Sequence, residues 1–205
     1  MNWTTYPHFI LTVLGRAPYF TLIAYAPSLV NSFGYRRLIS NALISVASWA
    51  QIIVNVSWAM LADKWNRRGP LVLAGLVIWC VFALASQQFV DSTNNKTRYA
   101  MLALAIAFSG VWHSIDSAWL SLNARTAGER SITFAMLIMS ANISGIIGPQ
   151  FLQPSDAPKY RIGWTIIVIT SSVAIFFAVA ANLQYRLLNG QCGQKGTQRE
   201  WSYSY

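Results

Sequence analysis

The sequence predicts an all-α integral membrane protein of six transmembrane helices, and three observations carry that expectation. Of 205 residues, 55% are apolar and 10% charged, where soluble domains carry roughly a quarter charged. Mean hydropathy is +0.40. The charges gather in short polar segments between long uncharged apolar runs, whereas a soluble domain needs charge along each exposed helix face.

A hydrocarbon core takes about 20 mostly apolar residues per helix, and six segments qualify: 9–30, 40–61, 71–90, 99–122, 132–151 and 164–188. The first holds Pro18 and Pro27; each removes a helical hydrogen bond, so this span is expected to bend. The second follows NSFGYRR and carries a polar stripe of Asn41, Ser45, Ser48, Gln51 and Asn55. It either lines a pore or bonds a neighbouring helix. The third is uncharged throughout. The fourth is broken by one carboxylate, Asp116, about two-thirds of the way along. The fifth sets Ser140, Ser144, Gly145 and Gly148 at helical spacing, a close-packing signal that ends in a possible hinge at Gly148-Pro149. The sixth runs into NGQCGQKGTQREWSYSY, whose composition predicts a mobile polar tail over 189–205. Trp3, Tyr6, Tyr35, Trp65, Tyr99, Tyr160 and Trp164 fall near span ends, where amphipathic rings favour the headgroups.

The net charge of +9 is spread over the loops and tail with no basic helix face, which argues for anionic lipid and against nucleic acid. The segment before the first span lacks a cationic run, so that span reads as an uncleaved anchor. With six spans both termini share one side. That side holds Lys or Arg at 64, 67, 68, 125, 130, 186, 195 and 199; the other holds them at 36, 37, 96, 98, 159 and 161. The excess places the termini in the cytosol. Cys80 and Cys192 form no framework, and His8 and His113 lie far apart, so neither a metal site nor a cofactor is expected. Asn95-Lys96-Thr97 is a glycosylation sequon, available if its loop faces the lumen; those at Asn55 and Asn142 lie within spans.

Function is sought among the polar groups inside spans. An ionisable group at the depth of Asp116 costs about 3 kcal/mol or more, so it marks either a proton pathway or a structural bond near the interface. Helical spacing puts Ser109, His113, Asp116 and Ser117 on one stripe, where carboxylate and imidazole one turn apart could relay a proton. Arg16 interrupts the first span; it either holds an anionic substrate from a watery cavity or snorkels to headgroups two turns away. Asn55 and Asn142 complete the candidate substrate and proton path. An intramembrane hydrolase would need Ser144 as nucleophile and His113 as base, but Asn142 stands where a glycine belongs, and no catalytic residue is assigned.

The loop AMLADKWNRRG, Ala59 to Gly69, resembles the major facilitator pattern G-x-L-A-D-R-x-G-R-R. Leu61, Ala62, Asp63, Arg67 and Arg68 match, Lys64 keeps the charge, and Ala59 and Asn66 replace glycines. The stretch from Trp112 to Trp164, WHSIDSAWLSLNARTAGERSITFAMLIMSANISGIIGPQFLQPSDAPKYRIGW, is similar to the last three helices of fungal anion:cation symporters of the allantoate permease type. The similarity runs from about Tyr6 to Asn189. It implies helices seven to twelve of such a carrier, with the Asp63 and Glu129 loops cytosolic and Asp63, Arg67 and Arg68 forming a conformational gate. It further implies proton-coupled uptake of a small organic anion (a ureido acid, vitamin carboxylate or peptide) at the plasma membrane. The family places substrate between two halves, so the expectation is a half-carrier that pairs with an N-terminal half or itself. The alternative is a shortened membrane fragment without transport.

Overall fold

The computed structural model describes residues 3–65 and 67–194. Among them there is no strand, and six helical segments are long and apolar enough to cross a membrane. They are built from seven α-helices: α1 (Tyr6–Ser32), α2 (Arg37–Trp65), α3 (Arg68–Gln88), α4 (Asn95–Phe108), α5 (Val111–Leu122), α6 (Ala127–Ile147) and α7 (Arg161–Gln194). In lipid a helix satisfies its own backbone polar groups, which is why apolar composition of this length resolves into helices and nothing else.

The helix ends lie a few residues from the expected bounds throughout, and the larger departures fall in the fourth and last spans. The fourth span starts at Asn95, because the side chain of Asn94 accepts from the backbone N–H of Lys96 (3.0 Å) and Thr97 (3.5 Å) and caps the helix there. That span is also two helices, not one, interrupted at Ser109 and Gly110. The last helix continues through Gln194, into the segment expected to be a polar tail; residues 195–205 lie outside the described region. α1, by contrast, runs unbroken through both prolines.

α1 is the organising element, packed along α6 on one flank and α7 on the other; α3 packs on α4, α5 and α7. Two apolar clusters result. One surrounds Trp79, Leu22, Leu102, Leu152 and Ile167 at the end away from the Asp63 loop. The second, around Trp112, Trp119, Leu76, Ala178 and Tyr185, fills the half nearer that loop. Small residues let backbones approach: a side-chain carbon added at Gly15 would lie 2.6 Å from the Trp112 ring. α2 buries far less, with only Ser40, Ala47 and Ala62 enclosed, and it presents Leu38, Val46, Trp49, Ile53 and Met60 outward.

Candidate functional site

Depth in the membrane follows from helix geometry. Arg16 lies ten residues beyond Tyr6, the start of α1, which is about 15 Å at 1.5 Å per residue, close to the middle of a ~30 Å hydrocarbon core. That is nearly three turns from the helix end, deeper than the two turns on which the snorkelling alternative rested. Its guanidinium sits 5.1 Å from the Tyr19 ring centroid and 5.2 Å from that of Phe20. Such cation–π contacts favour the charge without neutralising it. Its Nε is buried with no hydrogen-bond partner, and among the described residues no carboxylate pairs with it.

His113 reaches the same level from the opposite direction. It precedes the end of α5 by nine residues, about 14 Å. Its ring packs edge-on against Trp112 at 5.5 Å, and its Nδ1 is buried without a partner. Arg16 on α1 and His113 on α5 are thus two polar side chains in the middle stretch of the bundle.

Asp116 does something else. Its carboxylate Oδ1 lies 2.7 Å from Nδ1 of His8, across the α1–α5 contact, and both side chains are fully buried. The expected His113–Asp116 pair is thus replaced by His8–Asp116. The cause is antiparallel packing: His8 opens α1 on the face where α5 ends, which brings the two side chains within reach. The rings of Trp119 (4.9 Å) and Tyr185 (5.8 Å) enclose the imidazole. The four-residue stripe dissolves as well. Ser109 lies on the far side of the helix break and bonds the Ile106 carbonyl, while Ser117 bonds the His113 carbonyl. His8 was missed because its histidine neighbour in the chain is too distant to suggest a partner. The available signal was the antiparallel order of the spans, which starts the first span on the face where the fourth ends.

The break between α4 and α5 faces the polar stripe of α2. Gln51 donates to the Ser109 hydroxyl at 3.2 Å, and Asn55 lies beside Gly110 with its Oδ1 buried and unpartnered. Ser45 and Ser48 donate to carbonyls of their own helix, at Asn41 and Ile44. Of that stripe, Gln51 bridges helices and Asn55 holds spare capacity.

On α6, Asn142 lies on the exposed side while the small residues turn inward. The Ser144 hydroxyl lies 3.1 Å from the carbonyl of Thr12 and 2.9 Å from that of Ser140. A serine so engaged is no nucleophile. Gly145 touches Phe20, Gly148 meets the α1 backbone at Ala17, and Pro149 follows in a 3₁₀ turn that also packs on α1.

The loops carry the remaining candidates. Asp63 is exposed and reaches Arg68 at 3.5 Å; Arg67 immediately precedes α3 without a side-chain cap, and Asn182 donates to the Gly69 carbonyl at 3.1 Å. On the same face the Thr126 side chain accepts from the Glu129 N–H and caps α6, while the Glu129 carboxylate accepts from the Arg125 N–H. At the opposite end Asp91 joins Lys159 (2.6 Å) and Arg161, tying two connections together. Asn95 is exposed there, in the first turn of α4.

A polytopic helical bundle with a cation and an imidazole at mid-depth belongs to the class of multi-pass membrane proteins, and comparison with known proteins gives the family. The profile of the Major Facilitator Superfamily matches residues 9–188. The chain belongs to that superfamily, whose members are transporters and not enzymes. Among curated proteins it is similar to the uncharacterized transporter YIL166C of Saccharomyces cerevisiae, 24% identical over 96% of this chain and 35% of the relative. The uncharacterized transporter C1039.04 of Schizosaccharomyces pombe is 20% identical over 74% of this chain and 32% of its own length. The chain thus spans about a third of the curated relatives it matches.

Proposed function

We propose that this chain is the C-terminal six-helix half of a proton-coupled carrier for a small organic anion, of the allantoate permease type, working at the plasma membrane with both termini cytosolic. The observation that carries the reading is Arg16: a cation at mid-depth with no carboxylate partner among the described residues, steadied by two rings. A guanidinium in that state has donors to spare for a carboxylate, and its fork geometry suits bidentate capture. Asn55 supports the reading with an unpartnered buried oxygen on the neighbouring helix, and Asn142 adds a polar group on α6. Transport by this family places substrate between two halves, so the partner is an N-terminal half or a second copy of this chain.

The test supplies a six-span N-terminal half as a separate polypeptide and measures uptake of an allantoate-like carboxylate into vesicles under an inward proton gradient. Saturable uptake, lost at least tenfold in Arg16→Ala and partly kept in Arg16→Lys, is expected. Uptake indifferent to Arg16→Ala would remove Arg16 from the substrate site and the reading with it.

A further inference from the structure

We infer that His8 and Asp116 together form a proton-binding site that exchanges with one face of the membrane only. The inference rests on the carrier reading for its role in transport, but the site itself is argued from geometry.

His8 Nδ1 and Asp116 Oδ1 are 2.7 Å apart, short enough that one proton lies between them. The outer atoms, His8 Nε2 and Asp116 Oδ2, are both buried with no hydrogen-bond partner. A pair serving only to join α1 to α5 would gain by satisfying those atoms, since an unpaired buried polar group is costly. With the imidazole's own Nε2–H kept and one further proton shared between Nδ1 and Oδ1, the pair is neutral overall, which the apolar surroundings favour. Removing that proton leaves a lone buried carboxylate; adding a second leaves a lone buried cation. The pair therefore resists losing its proton while sealed and can exchange it once water enters.

The groups facing it are few. From α7 comes the Tyr185 phenol, and from α5 itself Trp119 and, one turn away, His113. On α1 the next charge is Arg16, two turns deeper. Beyond their first residues at the membrane face, α3 brings only Cys80 among titratable groups, and α6 brings none past Glu129 and Arg130. No other carboxylate competes for the proton within the bundle.

Position makes the site one-sided. His8 is two residues inside α1, and Asp116 is six residues from the end of α5, about 9 Å. Both ends lie on the face of the Asp63 and Glu129 loops. A small parting of the first turn of α1 from α5 and α7 admits water there, while the opposite face stays some 20 Å of packed helix away. Such a movement would connect proton exchange to the position of α1, the helix that also carries Arg16.

The experiment uses the full chain in lipid nanodiscs with ¹⁵N-labelled histidine. It contains two histidines, so His8 is assigned by the signal that His8→Gln removes. The expected result is that the His8 ring signal responds to pH, that Asp116→Asn alters the response and that His113→Asn leaves it in place. Asp116→Glu, which keeps the carboxylate, guards against misfolding of the amide variant and should restore most of the response. A second reading on the unmodified chain is infrared: one buried carboxyl band should change with the same midpoint as His8. A His8 signal that does not respond to pH, or one whose response is indifferent to Asp116→Asn, overturns the proposal and leaves a structural hydrogen bond. The titration is read without substrate, so a failed uptake assay leaves it standing, and a failed titration leaves anion binding at Arg16 standing.

Discussion

The Thr21 hydroxyl on α1 donates to the carbonyl of Gly148 at 2.6 Å, and a side-chain carbon added at Gly148 would lie 2.3 Å from the Ala17 carbonyl oxygen. The two helices meet backbone to backbone at this point. Gly148→Ala cannot be accommodated by turning a side chain; α1 and the end of α6 must separate. We expect a loss of about 2 kcal/mol, in the range of overpacked cores, read as a lower midpoint in detergent unfolding. Gly145→Ala supplies the contrast, because its nearest neighbours are Phe20 ring atoms at 3.8 and 3.9 Å, an ordinary contact. Equal destabilisation by both substitutions would show that packing on α1 is not what Gly148 serves.

This contact also shows what the sequence made legible. Small residues at helical spacing in the fifth span announced a close approach, but not to which helix, since spacing describes one face and says nothing of its partner. The same limit applies to Asp116. Its depth was readable from its place in an apolar run, whereas its bond to His8 depends on two helices running antiparallel with matched ends. The break at Ser109-Gly110 had a weak local signal, a Ser-Gly pair, hidden within an otherwise apolar span. Hydropathy counts apolar residues across such a break without seeing it. Composition, then, carried the six-helix architecture, and tertiary pairing carried the site.

Asp63 is exposed and held only by a long contact to Arg68, and exposed ion pairs contribute little to stability. Asp63→Asn should leave the unfolding midpoint of this chain unchanged. If the loop acts as the gate the family resemblance implies, its carboxylate engages a helix end on the opposite half. Uptake by the paired halves should then fall severalfold. The measurement is uptake at equal surface expression, and undiminished uptake in the variant would detach this loop from gating.

Topology can be checked at Asn95. It lies in the first turn of α4, at the membrane end opposite the Asp63 loop, beside Gly34 and Tyr35. With Cys80 and Cys192 replaced, Asn95→Cys should react with an impermeant maleimide from outside the cell, and Lys64→Cys only after permeabilisation. Glycan addition to Asn95 would agree with that orientation, although its helical, membrane-proximal setting predicts low occupancy. Labelling of both positions from the same side would contradict the antiparallel order of the spans.

The final prediction concerns the six-helix bundle by itself. Each helix satisfies its own backbone bonds, so the polypeptide should insert and fold without a partner. Transport asks for more. Carriers of this kind alternate access by rocking one bundle against another around a central site, and Arg16 and Asn55 approach such a site from one side. Unpaired, the bundle leaves the exposed face of α2 and a partly exposed mid-depth guanidinium to lipid, an expensive exposure for a charge. Vesicles containing this polypeptide as a monomer, its state established by crosslinking, should show no saturable proton-dependent uptake of an allantoate-like anion. Uptake that appears only with a crosslinked dimer would identify a second copy as the missing half. Robust uptake by the monomer would refute the half-carrier assignment, because six helices would then have to supply both sides of the gate.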